Sequence, residues 1–276
     1  MDLNLDTGKL YVFILGFVVF FLLETFIAKR KLKHPRHKRF AFHIGVAVFN
    51  SVTIRLFTYV PFLLWAVLVD EQGWGLSRML GLYGWTEIIV SLIVLDLFDY
   101  FWHRANHRVS FLWRFHKAHH SDTEMDVTTS LRFHPGELAI SAVVKATWIF
   151  IWGPTVVAWF LFEMLVSLCA QFHHSNIDFP DSVETPLSLL LVTPRYHLAH
   201  HFVEQKYGDA NFSTILSLWD KLFGTYSKPP TELELRNDSH SIGLVEEREL
   251  AFNPLAMLAE PIKSRNLNIR KTNLET

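Results

Sequence analysis

The chain has 276 residues, of which 50% are hydrophobic and 14% aromatic, and its formal net charge is −1. This composition is typical of a membrane protein with a polar part, and the length suits one large domain or two small ones. The near-neutral charge argues against a nucleic-acid partner. A single cysteine, Cys169, excludes an intrachain disulfide and a cysteine-rich zinc or iron–sulfur site.

The chain begins with two predicted membrane spans separated by a basic segment. Leu10 to Ala28 is long enough to cross the hydrocarbon core, and no basic residue precedes it within the first seven, so we expect it to be retained rather than cleaved as a signal. Lys29 to Arg39 follows, with seven Lys or Arg in eleven residues. Phe40 to Val69 is the second predicted span.

Two further apolar regions follow a short loop at Asp70 to Arg78. Leu80 to about Trp102 is the third predicted span. Leu138 to Ala170 is also apolar but contains Gly153 and Pro154, and because proline interrupts a helix we expect two tilted helices or a hairpin there. No later run is long enough to span.

The basic segment predicts the orientation of these spans. Lys and Arg near span ends favour the cytoplasmic side, which places the N-terminus outside and delivers His103 to the cytoplasm. The predicted fold is therefore an all-α integral-membrane bundle, with about four spans or three plus a broken hairpin, beneath a cytosolic histidine-rich helical cap. We divide it into spans and basic loop (1–102), a histidine-rich catalytic region (103–226) that includes the apolar hairpin 138–170, and a cytosolic tail (227–276).

Histidine spacing is the strongest chemical signal in the chain. The pattern H-x-x-H-H occurs twice, at His116, His119 and His120 and again at His197, His200 and His201, and it is preceded by His103-x-x-x-His107. Residues three and four apart share one face of an α-helix, so each box is predicted to offer two or three nitrogens to one point. The glutamate of H-E-x-x-H is missing, so the boxes give zinc-peptidase chemistry little support.

Further histidines enlarge the candidate ligand set to eleven. His134 follows the second cluster, and His173 and His174 precede the third. One metal needs three or four imidazoles, so a set of this size suits two metals, and a thiol-free nitrogen site is compatible with iron, zinc or copper. Of the remaining four, we predict that His34 and His37 belong to the basic segment that sets topology and meets anionic lipid, and that His43 and His240 are structural or solvated.

Carboxylates near the boxes are candidates for catalytic or ligand-orienting roles, because a ligating imidazole usually donates its second N–H to a carboxylate or carbonyl. Asp96 and Asp99 precede His103 by seven and four residues and lie on the same helical face, although either could simply be solvated at the membrane interface. Asp220, Asp122 and Glu137 are further candidates.

From about Leu95 to Tyr226 the sequence resembles the integral-membrane fatty acid hydroxylase and sterol desaturase superfamily. The resemblance rests on the order and spacing of several short strings. They are Asp96–Arg104 followed by His107, His116–Ser121, Arg132–Pro135, His174–Asn176, Thr193–His201, Asn211–Phe212 and the closing Leu218–Tyr226.

The resemblance implies a non-haem di-iron centre that performs O₂-dependent hydroxylation or desaturation of a lipid, with zinc possible in purified material. It maps the three boxes and His174 onto the metal ligands, with His173 and His134 as weaker matches. Electrons would come from a cytochrome b5-, ferredoxin- or reductase-type donor, because the chain has no flavin or nicotinamide fingerprint. The lipid, and the choice between hydroxylation and desaturation, stay open.

Two other functions remain alternatives. A metal-binding or transport protein would place paired histidines along a path through the bilayer, and a haem electron-transfer protein would need two axial histidines across a bundle. A lipid oxygenase instead needs a route for its substrate, and aromatic side chains are candidates to line it, although each is more simply a packed or interfacial residue. They are Phe98, Trp102, Trp148, Trp152, Trp159 and Phe162.

Overall fold

The computed structural model describes residues 3–54, 60–231, 241–244, 248 and 251–263. Within these residues the regular structure is helical, with two isolated β-bridges and no strand, which confirms the predicted all-α class. The helices are α1 Leu3–Ile27, α2 Arg36–Ile54, α3 Val60–Glu71, α4 Leu76–Met79, α5 Gly84–Arg108, α6 Ser110–His120, a 3-10 helix Val127–Leu131, α7 Pro135–Trp152, α8 Val156–His174, α9 Asp181–Leu187, α10 Pro194–His200, α11 Gln205–Gly208, α12 Leu218–Leu222 and α13 Pro254–Lys263. His240 lies outside the described residues.

Among the described helices, two are long and apolar enough to cross a membrane. They are Gly8–Ile27, which agrees with the first predicted span, and α8. A third crossing arises if Pro61–Met79 and Gly84–Arg108, which are bent by 81° relative to each other, count as one broken span. The structure thus supports a membrane protein with two or three candidate spans among its described residues, where the sequence predicted about four, or three plus a broken hairpin.

The predicted second span, Phe40 to Val69, corresponds to α2 and α3, and residues 55–59 between them lie outside the described residues. α2 is not one of the candidate spans. Its buried face carries Arg39, His43 and Asn50, and each of these side chains bonds to the segment 122–133. The polar residues of α2 lower its hydropathy and have protein partners, so this helix need not face lipid over its whole length.

The predicted break in the apolar region is confirmed at Gly153. α7 ends at Trp152, Gly153 adopts the left-handed conformation with φ 69°, and α8 begins at Val156. A side chain at this position would also collide with the carbonyl of Trp74, so glycine meets a conformational and a steric requirement at once.

α8 is the helix around which the histidine-bearing elements assemble. It packs against α1, α5, α10 and the 3-10 helix, while α5 also packs against α6. The end of α8, at His173 and His174, therefore lies beside the histidines of α5, α6 and α10.

Candidate metal centre

Nine histidines form two adjoining clusters, in each of which one nitrogen per residue lies within 4.8 Å of the others. Cluster A contains His103, His107, His116, His120 and His200, and cluster B contains His119, His174, His197 and His201. All are buried except His103, which is half-buried. The clusters share a wall, because the His120 ring of cluster A stacks on the His201 ring of cluster B with centroids 4.3 Å apart.

Nitrogen-to-nitrogen distances within the clusters fit a shared cation. In cluster A, Nε2 of His103 lies 3.1 Å from Nε2 of His200, and in cluster B the His119 and His174 Nε2 atoms are 3.0 Å apart. Two nitrogens bound at right angles about 2.1 Å from one metal would be separated by about 3.0 Å. Nε2 of His120 is buried without a hydrogen-bond partner among the described residues, as expected of an atom that awaits a metal.

Each H-x-x-H-H box divides between the two clusters, so that two of its nitrogens, rather than three, reach one cluster. His116 and His120 belong to cluster A while His119 belongs to cluster B, and the second box divides in the same way. The reason is angular: positions i and i+4 lie about 40° apart around a helix, whereas i+3 lies about 100° from i+4. The spacing therefore addresses two metals, and the i, i+4 pair stays together.

Outward-facing nitrogens are held by acceptors that fix the tautomer and direct Nε2 inward. In cluster A, Nδ1 of His103 donates to the Phe212 carbonyl at 2.8 Å, and Nδ1 of His200 donates to the Ala210 carbonyl at 2.7 Å. Nδ1 of His116 donates to Glu137 Oε1 at 2.7 Å. In cluster B, His119 uses the Arg132 carbonyl at 3.1 Å and His174 the Ala170 carbonyl at 2.7 Å.

Burial favours the neutral form of four of the cluster imidazoles. The pKa values of four cluster residues outside the candidate spans lie well below the usual histidine range, first because burial disfavours the charged ring and second because neighbouring imidazoles repel a further proton. They are His119, His120, His197 and His201. Neutral imidazole is the form that ligates metals, so at neutral pH these rings present lone pairs rather than protons.

Two predicted ligands lie outside both clusters. His134 caps α7: its Nδ1 accepts from the Gly136 N–H at 2.9 Å and its Nε2 lies 3.3 Å from the Leu258 carbonyl, which leaves no ring nitrogen for a metal. His173 lines the cavity beside cluster B, with its ring 4.0 Å from that of His197, and its Nδ1 has no hydrogen-bond partner in the described part of the chain.

The three candidate catalytic carboxylates occupy different positions. Asp96 accepts from the backbone N–H groups of Ile215 and Leu216 and from Trp219 Nε1, so it anchors the loop before α12. Asp99 lines the cavity next to the clusters.

Asp220 is fully buried and accepts from the N–H groups of Phe212 and Ser213, each at 2.8 Å. It therefore fixes the segment whose carbonyls hold His103 and His200. Asp220 therefore positions the ligands of cluster A indirectly, through the backbone that accepts their hydrogen bonds.

Sequence reasoning missed a buried ion cluster beneath the first box. The Arg39 guanidinium contacts Asp122 at 2.9 Å and Asp126 at 2.7 Å with all three side chains out of solvent. Burial opposes ionisation of Asp122, yet the charge of Arg39 outweighs it and holds the pKa of that carboxyl below its usual range. Arg39 stands four residues before the buried His43 on α2, a spacing that could have separated it from the solvated lysines of the basic segment.

A cavity of about 270 Å³ adjoins both clusters. Its lining combines His103 and His174 with the apolar side chains of Trp102, Leu138 and Val166. Of the other aromatics predicted to line a substrate route, Trp159 lines a second cavity, while Phe98 and Trp148 pack edge to face and Trp152 donates to Ser91. Phe162 is buried.

This helical chain has candidate membrane spans and two adjoining, thiol-free imidazole clusters beside a partly apolar cavity, an arrangement that can hold metal ions. The chain belongs to the fatty acid hydroxylase family, whose model matches residues 88–225, half of the sequence. This match spans both boxes and confirms the resemblance drawn from the motifs.

Similar proteins are lipid-modifying enzymes by name. Ornithine lipid hydroxylase of Rhizobium tropici is 28% identical over 65% of this chain and 51% of its own length. Alkylglycerol monooxygenase of Caenorhabditis elegans is 30% identical over 75% of this chain and 37% of its own. Cholesterol 25-hydroxylase of Mus musculus is 24% identical over 52% and 48%, respectively. The chain thus spans about half or less of these relatives, and no solved structure matches it.

Proposed function

We propose that this protein is a membrane-bound, non-haem di-iron oxidoreductase that uses O₂ to hydroxylate a lipid, with desaturation by the same ligand set as the second possibility. The relatives named hydroxylase or monooxygenase favour hydroxylation. The balanced reaction is R–H + O₂ + 2 e⁻ + 2 H⁺ → R–OH + H₂O. The chain has no flavin or nicotinamide fingerprint, so the two electrons require a separate donor of the cytochrome b5, ferredoxin or reductase type.

The observation that carries this proposal is the convergence of nine imidazoles into two adjoining clusters beside a partly apolar cavity. Bound iron supplies the redox chemistry that activates O₂ toward a C–H bond. Zinc fits the same nitrogen donors but has no redox chemistry, so zinc in purified protein would occupy the site without supporting turnover.

The chain's own contribution is positioning and exclusion of water. Trp102, Leu138 and Val166 provide apolar surface against which an acyl or alkyl chain can lie next to the clusters. Carbonyl and carboxylate acceptors hold the imidazoles in place, so the distance between substrate carbon and metal is set by a rigid frame. The carbon that the frame presents decides the product.

The wider assignment follows from the same site. We assign residues 1–102 to membrane anchoring, 103–226 to the catalytic region and 227–276 to a tail, with the active site facing the cytoplasm as the basic segment Lys29–Arg39 favours. Transport and haem electron transfer account less well for the geometry, because the histidines converge in two clusters rather than lining a path or facing each other as one axial pair.

Metal analysis and lipid mass spectrometry test the proposal together. Purified protein reconstituted with iron is expected to hold two irons per chain without a Soret band and, with a reductant and O₂, to add 16 Da to a lipid from host membranes. A loss of 2 Da would indicate desaturation instead. A single metal, a haem spectrum or unchanged lipids with a fully loaded protein would contradict the assignment.

A further inference from the structure

Six large apolar side chains are exposed together outside Gly8–Ile27 and α8, the two helices that are long and apolar enough to cross a membrane. They come from the turn that follows α9, and from α12 with the residue after it. We call them the leucine surface: Leu189, Leu190, Leu191, Leu218, Leu222 and Phe223. The two parts are paired, because the Ser217 N–H donates to the Leu190 carbonyl at 3.1 Å. A contiguous apolar patch on the exterior marks contact with a protein or a membrane.

The backbone of the turn after α9 is paired within the protein. The N–H groups of residues 189–191 donate to carbonyls three or four residues earlier in the chain. The carbonyls of Ser188 and Leu189 accept from Lys221 Nζ, at 3.1 and 2.7 Å, and the Leu190 carbonyl accepts from Ser217. A turn that faces water can leave such groups to solvent, whereas one that faces lipid must pair them internally. The pairing therefore favours a lipid environment.

The composition of the leucine surface favours lipid over a protein partner. Five of its six side chains are leucine, which is under-represented among the residues that dominate protein–protein binding, whereas Trp, Tyr and Arg are enriched there. Beside it lies the exposed Tyr226, and Lys221 Nζ is 5.6 Å from the centroid of the Tyr226 ring. Tyrosine and lysine, which have apolar bodies and polar tips, are typical of the boundary between membrane and water.

The leucine surface is continuous with the exposed apolar side of α5. The ring centroid of Phe223 lies 4.9 Å from that of Phe101, and both Phe101 and Ile93 of α5 are exposed. α5 forms one half of the broken candidate span. Phe101 stands two residues before His103, so this contact lies at the end of α5 that carries the metal clusters. Exposed apolar side chains therefore continue from a candidate membrane helix onto the leucine surface.

We propose that the leucine surface inserts into the boundary between lipid head groups and acyl chains, in the leaflet next to the metal clusters. Apolar side chains of such interfacial segments lie about 5–10 Å into this boundary. Thr214, which shortly precedes α12, lines the cavity beside the clusters, so insertion holds that wall of the cavity at the membrane boundary. The assignment goes beyond the proposed reaction and does not depend on it, because insertion needs no turnover.

Fluorescent labels measure the depth of the surface. Cys169→Ala removes the one native thiol, and Leu190→Cys or Leu222→Cys, at positions 69% and 64% exposed, then carries an NBD label. Phe26→Cys, at an exposed position of α1, is the lipid reference, and Lys206→Cys, at an exposed position of α11, is the water reference. Full-length, zinc-loaded protein is placed in phosphatidylcholine nanodiscs. Quenching by a phosphatidylcholine with a nitroxide on its acyl chain is compared with quenching by aqueous iodide.

Both labels of the leucine surface are expected to be quenched by the nitroxide lipid within about twofold of the label at position 26, and the label at position 206 mainly by iodide. Iodide quenching equal to that at position 206 would show that the surface faces water, and would overturn the proposal. Protection from both quenchers would show that protein covers the surface, either this chain in single-chain discs or a second copy in crowded vesicles. Either result would also overturn it.

Charge substitutions give a second readout. Leu189→Asp with Leu190→Asp is expected to lower lipid quenching of the label at position 222 about twofold, because a carboxylate among lipids is costly. Leu255→Asp with Ile262→Asp, at two exposed positions of α13, is the matched control and leaves that quenching unchanged. Equal zinc content in both variants checks that the clusters are intact; if zinc is lost, the labelled single variants decide alone. Equal loss of quenching in the two variants, or none in either, would contradict insertion.

Discussion

Clusters A and B are neighbours, but they are supported differently. Cluster A has five imidazoles, and its outer partners are Glu137 and the carbonyls of Ala210 and Phe212. Cluster B has four, and its outer partners are carbonyls alone, from Arg132 and from Ala170 one helical turn before His174.

The difference predicts unequal sites. Cluster A has an anionic partner and one ligand to spare, so its metal should be held more tightly, because a carboxylate raises the basicity of the imidazole it contacts. Cluster B depends on fewer rings and on the segment 122–132, which the buried Arg39 ion cluster fixes in place. Four substitutions sharpen or break this contrast.

The largest effect is expected from His119→Ala. It leaves cluster B with three imidazoles, whereas His107→Ala leaves cluster A with four. We expect His119→Ala to lower the iron content from two toward one per chain. Turnover should fall by more than about 10- to 100-fold, the loss typical when a hydrogen-bond partner of a metal ligand is removed. Elemental analysis and lipid turnover measure both. Full iron with full turnover would count against a metal at cluster B, and greater metal loss in His107→Ala would reverse the ranking.

Arg39→Met should cost the most stability. Asp122 and Asp126 would remain buried without their cation, which costs about 3–5 kcal/mol. Denaturant unfolding in detergent measures the loss. Arg108→Met is the matched control, since its ion pair with Asp209 is half exposed and is worth less than about 1 kcal/mol. Similar losses in the two variants would show that the buried cluster is not a stabilising element.

Glu137→Gln tests the anionic support of cluster A. The amide oxygen can still accept from His116 Nδ1, so geometry is kept and only the charge is lost. We expect metal affinity at cluster A to fall about tenfold, with cluster B unchanged. Competitive chelator titration resolves two classes of site, and an equal loss at both would contradict the contrast drawn here.

His134→Ala is expected to have the smallest effect. Loss of the α7 cap costs about 1 kcal/mol, with metal content and turnover per folded molecule retained. His134→Asn, which can cap the helix, should recover most of that stability. Iron content that falls in both variants would instead identify His134 as a ligand.

Spacing pointed to eight of the nine cluster histidines, because helices impose the i, i+4 relation locally, while the ninth, His174, was matched through the family resemblance. The same local rule failed to anticipate that each box serves two clusters, since the neighbours that receive His119 and His200 come from other elements. The acceptors that hold the outward-facing nitrogens could not be predicted from the sequence either. They are backbone carbonyls of residues 132, 210 and 212, which have no side-chain pattern to identify them and which only tertiary packing brings to the imidazoles.

The predicted membrane topology agrees with the structure in part. Hydropathy predicted the first span, which agrees with Gly8–Ile27. The break at Gly153 was predicted from the Gly-Pro pair, and the left-handed backbone there agrees with it. Hydropathy predicted a span where α2 lies, but it did not anticipate that Arg39, His43 and Asn50 of this helix would bond to distant partners. Lys145 and Glu163 illustrate the same limit, because a charge in an apolar run discloses neither its counterion nor the cavity it faces.

The bonds made by Glu24 near the end of α1 bear on how this protein can be engineered. Its carboxylate accepts hydrogen bonds from the backbone N–H groups of Val127, which follows the histidines of α6, and of Asn176, which follows His174. A helix that served only as a membrane anchor would need only sufficient length and hydrophobicity, and any transmembrane helix could replace it. Here α1 is hydrogen-bonded to the segments that carry the histidine clusters. A chimera with a different membrane helix would leave those two backbone amides without an acceptor, and we expect it to bind metal less tightly while it stays in the membrane.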